Sequence, residues 1–380
     1  MLVGLTEDQA LLRDSLTRLL DRIYPFETRK ERVASEAGFA EADWQELVDL
    51  GITAAPFPEA MGGLGLGQSD LCVIQQGLGS HNLVSPYLSS VVLAGGLLAQ
   101  AAPERAADLL GPVIAGRQHL ALAYAERGSR YSLCHVTTRA ERDGSGYRLE
   151  GRKTAVLWAQ AAGRLLVSAR SSGAAGERDG ISLFLVDPQA EGVSLRPYAT
   201  NDGHRAAEVF FSGVQLPADS LLGQEDTALP LIEAACDRAA LALAAEALGC
   251  CLSLNAETLD YVRQRQQFGR PIGKFQVVQH ACAYMSIQAD TLEATVFAAA
   301  QHADRQVDLA TQRRLVSTSK AQAGWSGRFI GETALQLHGG IGMSADLPIG
   351  HFLKRLSAIR VLFGDPDYHV RRVKQLDAVA

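Results

Sequence analysis

The chain has 380 residues, 47% of them hydrophobic, and a formal net charge of −6 with no long basic run. That length supports two or three cooperating domains around a large core, and the charge excludes the clustered Lys and Arg that a nucleic-acid partner requires. The six cysteines (Cys72, Cys134, Cys236, Cys250, Cys251 and Cys282) show no CxxC spacing, and read as reduced core thiols of a cytoplasmic protein rather than metal ligands or disulfides.

The chain opens Leu5-Thr-Glu-Asp-Gln, with acids where a signal peptide needs a basic region, so none is expected. Leu11, Leu12, Leu16, Leu19 and Leu20 recur at helical spacing. Phe39 to Leu50 reads as a second helix stopped by Gly51, and the breaker-rich loop from Pro56 to Gly67 leads into another. Leu71 to Leu78, Pro86 to Ala101 and Pro103 to Ile114 extend the pattern, giving an N-terminal α-helical domain over 1–117.

From 118 to 223 the period changes to two. Strands are expected at Leu120–Tyr124, Val136–Arg142, Tyr147–Leu149, Leu165–Arg170, Ile181–Val186 and Ala207–Phe211, with Asp143-Gly-Ser-Gly146 as a hairpin turn. The spacing suits a small barrel or sandwich. From 224 to 380 the chain is helical again. Thr227 to Gln267 predicts one helix of roughly 40 residues, roughly 60 Å long, apolar on most faces and so buried in a bundle. Its most apolar stretch, Ala239 to Leu254, is interrupted by Glu246, and reads as too short and too polar to span a membrane. Further helices are expected over Phe275–Ala303, Leu309–His338 and Gly350–Ile359, with a last one after Pro366. The fold class is therefore mainly α with a central β domain.

Two segments of the last region stand out. Tyr261-Val-Arg-Gln-Arg-Gln-Gln-Phe-Gly-Arg-Pro-Ile-Gly-Lys-Phe-Gln276 ends a charged helix, turns, and restarts as an amphipathic run; Leu335-Gln-Leu-His-Gly-Gly-Ile-Gly-Met343 is glycine-rich after a helix. Their order, with Leu5-Thr-Glu-Asp-Gln, Glu59-Ala-Met-Gly-Gly-Leu-Gly65, Leu149-Glu-Gly-Arg-Lys153 and Phe210-Phe-Ser-Gly-Val-Gln-Leu-Pro217, resembles the acyl-CoA dehydrogenase family over essentially the whole chain. Within the family the resemblance is to small subunits of pimeloyl-CoA dehydrogenases and paired subunits of heterotetrameric steroid side-chain enzymes. It implies the family fold: an N-terminal helical domain, a middle β-barrel or sandwich and a C-terminal four-helix bundle. It also implies FAD as cofactor and an acyl-CoA substrate, either dicarboxylyl-CoA or a steroid side-chain CoA. The implied partners are a homologous acyl-CoA dehydrogenase subunit in an α2β2 assembly and an electron-transfer flavoprotein or similar acceptor, with no nucleic acid and no membrane.

By that resemblance Arg265 lies on the FAD diphosphate, where a planar fork suits phosphate oxygens, or is a solvated charge at a helix end. Phe268 packs beside the cofactor or is a helix-terminal core residue, and Gln276 and Gln336 contact the adenosine part or are surface amides. Gly339, Gly340 and Gly342 admit close backbone approach or end a helix. In the family these contacts cross between subunits. The middle domain departs from the pattern. Tyr124-Ala-Glu-Arg-Gly-Ser-Arg130 replaces a Thr-Glu-Pro-Gly-type loop, Leu157 stands where a Thr meets the flavin, and Trp158 packs on the ring or in the core.

The family base is also missing. Phe363 occupies its place in Arg360-Val-Leu-Phe-Gly-Asp-Pro-Asp-Tyr368, and Ala239, beside Asp237 and Arg238, occupies the alternative one. Asp365 is the remaining candidate base, its pKa raised by burial beside an acyl chain, or else an N-cap ahead of Pro366. Asp367 suits the first turn of the last helix, and His338 and His369 read as structural. Two further readings stand beside catalysis: a non-catalytic subunit that completes a companion's flavin and CoA site, and a flavin monooxygenase or nitro-compound oxidase on the same fold.

Overall fold

The structure is a computed structural model that describes residues 4–305 and 308–378. The N-terminal elements are α1 (Glu7–Ile23), α2 (Phe26–Ala34), α3 (Glu41–Asp49), α4 (Gln68–Ser80), a π-helical stretch (Leu88–Gly95), α5 (Gly96–Ala101) and α6 (Pro103–Ile114). The β region holds β1 (His119–Ala123), β2 (Arg139–Asp143), β3 (Gly146–Leu157), β4 (Ala162–Arg170), β5 (Ile181–Val186), β6 (Val193–Ala199), β7 (Arg205–Leu216) and β8 (Leu221–Leu222). Then come α7 (Leu229–Gln264), the short strands β9 (Gln266–Gln267) and β10 (Arg270–Pro271), α8 (Gln276–Arg305), α9 (Leu309–His338), α10 (Pro348–Val361) and α11 (Pro366–Asp377).

These elements divide into two compact units. One comprises Met1–Glu31, Gly67–Leu83 and Ala240–Ala380; the other comprises Arg32–Leu66 and Val84–Ala239. In the first, α9 packs on α8, α10 and α11, and α4 packs on α1 and α8. Glycines bring α4 and α7 into backbone contact. A Cβ on Gly249 would lie 2.0 Å from the Gln76 carbonyl oxygen, and one on Gly79 would lie 2.1 Å from that of Glu246. The Glu246 carboxylate that interrupts the apolar run is answered inside the unit: Arg355 Nε and Nη2 donate to it at 2.5 and 2.9 Å. By length and composition α7 is apolar enough to cross a membrane, contrary to the expectation drawn from Glu246, yet 78% of its most apolar window is buried within the protein, as in a core helix.

In the second unit the strands run in the order β6-β7-β3-β2-β4-β5-β8, with β1 paired to β4. Strands β2 and β4 meet at one position, Arg139 opposite Arg170, so the sheet has two halves whose inner faces share a core of Leu149, Leu165, Phe184, Val209, Phe211 and neighbours. The expected hairpin is present, with Asp143 paired to Gly146. None of the six cysteines forms a disulfide.

Candidate active site

The ends of α7 and α9 are stapled together. Tyr261 stacks on His338 with ring centroids 4.3 Å apart, and its hydroxyl donates to the His338 carbonyl at 3.3 Å. His338 Nδ1 bonds the Ala334 carbonyl at 2.8 Å, so this histidine is structural, as expected. The staple brings the Arg265 segment and the Gln336–Gly340 segment to one end of the bundle. Past Gln264 the chain forms the β9–β10 hairpin, in which Phe268 (φ +56°) and Gly269 (φ +77°) are both left-handed, as a two-residue type I′ turn demands. Phenylalanine is a poor residue for that conformation, and here it is 90% exposed. Its ring meets Phe275 edge-on at 6.1 Å, and Arg270 covers the other ring at 4.3 Å. Phe268 is therefore not the core residue that was its alternative reading.

The neighbouring candidates share that exposure. Arg265 makes no ion pair among the described residues, and Gln276 opens α8 with its side chain in solvent. Gln336 lines a groove of about 400 Å³ with Val277, Val278, Ala281, Phe329 and Thr333. Gly339 (φ +65°, ψ −148°) ends α9 in a conformation closed to side chains. At Gly340 neither φ nor packing calls for glycine, since a Cβ there would meet nothing within 4 Å. A guanidinium, two amides and bare backbone on one exposed rim fit a nucleotide approached from outside this chain. Around the rim, Val277, Tyr284 and Ile287 on α8 and Trp325 and Phe329 on α9 repeat at helical spacing and are exposed.

The β unit contributes differently. Trp158 (φ +57°) is 2% exposed. Phe39 and His204 meet it edge-on at 5.6 and 5.9 Å, so it is packed as core. Leu157 beside it is half-buried. Sequence reasoning missed an ion pair anchored on the same strand, β3. Lys153, fully buried, donates to Glu126 at 2.7 Å and to Ser168 Oγ at 3.0 Å. Glu126 also accepts from the backbone N–H groups of Thr137 and Thr138. Burial alone would raise the Glu126 pKa, but the Lys153 charge and the bonds from Lys153 and Thr137 outweigh it and bring it to about 2. The signals were a lysine in Gly151-Arg-Lys153 and a glutamate in the altered loop, each unremarkable alone.

The turn between α10 and α11 carries the replaced base. Phe363 is left-handed (φ +54°) and Gly364 follows at φ +115°. Lys320 on α9 clamps the turn by donating to the carbonyls of Ile359 at 2.8 Å and Gly364 at 2.9 Å. His369 Nε2 donates to the Phe363 carbonyl at 3.1 Å. His369 is buried, and desolvation with the nearby charges of Lys320 and Arg372 lowers its pKa to about 3, so it stays neutral. Asp365 is the N-cap of α11, its Oδ1 accepting from the Tyr368 N–H at 2.7 Å ahead of Pro366. Asp367 lies exposed in that helix's first turn. At the alternative position Ala239 is fully buried and brings no carboxylate.

Models described as the acyl-CoA dehydrogenase N-terminal, middle and C-terminal domains match residues 6–117, 121–214 and 229–375. The chain is 28% identical to the acyl-CoA dehydrogenase FadE27 of Mycobacterium tuberculosis, over 93% of each protein. To the 3-(aryl)acrylate reductase of Clostridium sporogenes it is 27% identical, over 88% of this chain and 89% of that one. Similar solved structures include the Tcur3481-Tcur3483 steroid ACAD, with a TM-score of 0.87 at 29% identity over 98% of both chains. The ChsE4-ChsE5 complex from Mycobacterium tuberculosis aligns with a TM-score of 0.89 at 27% identity over 99% of both chains.

Proposed function

Because the chain belongs to the acyl-CoA dehydrogenase family, an FAD-dependent family of oxidoreductases, we propose that it works as one subunit of a hetero-oligomer that desaturates an acyl-CoA between its α and β carbons. The observation that carries the reading is the exposed rim of Arg265, Phe268, Gln276, Gln336, Gly339 and Gly340 beside an apolar helix face. Such a rim binds a nucleotide only weakly alone and gains its second wall from another chain. The complexes named among the similar structures, a paired steroid ACAD and ChsE4-ChsE5, support a homologous companion. The steroid ACAD among them supports a steroid side-chain thioester as substrate; a dicarboxylyl thioester is the other acyl group this reading admits, with an electron-transfer flavoprotein or similar acceptor downstream.

Bound FAD supplies the acceptor for the hydride that leaves the β carbon. The residues of this chain hold and orient. Arg265 neutralises diphosphate charge, the glycine backbone lets the nucleotide approach, and the clamped turn at Phe363–Asp365 presents the Asp365 carboxylate. Asp365 takes the proton from the α carbon on Oδ2, because the cap engages Oδ1. Asparagine caps a helix about as well as aspartate, so Asp365→Asn separates the two roles. Assayed with the companion chain, it should lower turnover by roughly 100-fold or more while leaving the thermal midpoint unchanged.

A second reading follows from Phe363 at the base position and from the engagement of Asp365 in the cap. In it this chain completes the flavin and CoA site of a catalytic companion and moves no proton itself. Unchanged turnover in the same Asp365→Asn assay selects it.

A further inference from the structure

A second cleft, of about 560 Å³, lies wholly within the unit that holds the sheet. It is formed by the start of α3, the connection from α6 to β1, the start of β4 and the residues after β5, and its lining includes Glu41, Arg117, Gln118, His119, Arg164 and Asp187. The strands are irregular there. His119 pairs with Ala162 but Leu120 pairs with Arg164, so the register of β1 on β4 slips at Gly163. Ala162, Gly163 and Arg164 consequently all line the cleft, where a regular strand would turn every second residue away. Glycine suits the slip, because a Cβ on Gly163 would stand 2.8 Å from Gln118 Nε2.

His119 is 6% exposed and is wedged edge-on against Phe39 at 5.4 Å and Trp44 at 4.9 Å. Burial lowers its pKa to about 4, so the ring is neutral, with one donor and one acceptor nitrogen. Neither nitrogen has a hydrogen-bond partner among the described residues, and Nδ1 is sealed from solvent. Nε2 is thus the nitrogen left to the cleft, and a buried polar group with no partner is costly to keep. Two charges on the same cleft are also unanswered. Arg117 and Glu41 are exposed, and their side chains pair neither with each other nor with any other described residue. Arg164 and Asp187, by contrast, answer each other at 3.0 Å. Among the described residues no group of three His, Cys, Asp or Glu side chains could hold a metal ion. A lone anion would be repelled by Glu41 and a lone cation by Arg117, whereas a ligand with both charges satisfies both. We propose that this cleft binds a small zwitterion, an α-amino acid with a neutral polar side chain. Its carboxylate would lie on Arg117 and the Gln118 amide, and its ammonium would donate to Glu41 and to His119 Nε2. The remaining volume takes the side chain, which is uncharged because Arg164 and Asp187 already neutralise each other. This site goes beyond the acyl-CoA reading and does not depend on it.

The test is calorimetric titration of the full-length protein, purified as it occurs in its host, with L-serine, L-asparagine and L-glutamine, which lengthen a neutral polar side chain stepwise. At least one should bind saturably. The tightest is then compared with its deamino analogue, which lacks the ammonium, and with its carboxamide, which lacks the carboxylate; each should bind roughly 10-fold or more weakly. Arg117→Gln and Glu41→Gln should each weaken the amino acid by a similar factor and leave the ligand-free thermal midpoint unchanged, because neither side chain has a partner to lose. His119→Phe should weaken it too, and if that variant does not fold, the two surface variants decide alone. A deamino analogue that binds as tightly as the amino acid would make the cleft a plain anion site and overturn the proposal. So would an affinity that neither Arg117→Gln nor Glu41→Gln changes, or no saturable binding of any of the three at millimolar concentration.

Discussion

Lys320 places an ammonium group on the buried face of α9, 0% exposed, with the carbonyls of Ile359 and Gly364 as its acceptors. Desolvation lowers its pKa from 10.5 to about 7, against the opposing pull of Asp365. The sign of the linkage follows directly. Between about 7 and 10.5 the unfolded chain binds a proton that the folded chain does not, so stability rises with pH across that window and is flat, at its lowest, below about 7. Lys320→Met removes this dependence. It also leaves two carbonyls without their donor, a loss of about 1–3 kcal/mol at any pH. Urea melts of both proteins at pH 6, 7.5 and 9 should show the wild-type advantage growing from 7.5 to 9, by up to about 1.4 kcal/mol per pH unit. An advantage constant from pH 6 to 9 would show that the amine is not titrating in the fold. The same clamp explains how Phe363 is held left-handed, a conformation that persists only where its surroundings over-determine it.

At the scale of elements, the β9–β10 hairpin does little for its own chain. Phe268 is strained and exposed, so Phe268→Gly should stabilise the isolated chain by about 1 kcal/mol by removing the left-handed penalty. In the assembly it should instead lower flavin retention, read as visible absorbance per mole of protein after gel filtration. Unchanged flavin content would show that the ring faces nothing that matters. The break after the long helix was legible in the sequence at Phe268-Gly269, but its two short strands were not, since the helix was expected to run to Gln267 and stops at Gln264; α9 was read to its ends, where Asp308 caps it and Gly339 stops it. Other elements left no such signal. Strand β6 was missed because it is an exposed edge strand whose Arg196 and Pro197 break any apolar alternation. Helix α2 was missed because it is short and charged, its one buried residue being Arg29. The π-helical stretch is buried on every face, so its sequence carries no period to distinguish it from an α-helix. In the site, the turn glycines and the arginine on the rim were readable as patterns. The Lys153–Glu126 pair and the Lys320 clamp are products of packing between distant segments, which residue spacing does not encode.

At the scale of the whole molecule, an apolar helical face and a nucleotide rim are exposed side by side. Val277, Tyr284, Ile287, Trp325 and Phe329 are exposed at helical spacing on α8 and α9, and apolar surface of that kind is what an interaction site presents. The rim residues beside them supply donors from one side. On the proposed reading, a second chain that covers the face would also close the rim and so couple flavin binding to assembly: each should stabilise the other by mass action. Two outcomes follow for the protein in its host. Purified through a tag on this chain, it should bring down a homologous chain in equal amount, with the mass of an α2β2 tetramer and the flavin spectrum. Expressed alone, it should be poor in flavin and self-associate through the uncovered face, and adding the companion should restore the yellow colour. Native mass spectrometry and the ratio of visible to protein absorbance decide between this and the alternative. A homotetramer of this chain with one flavin per subunit would mean that a second copy supplies the missing wall, because a C2 interface can present the same rim to itself, and the heteromeric reading would fall while the coupling of flavin to assembly stood.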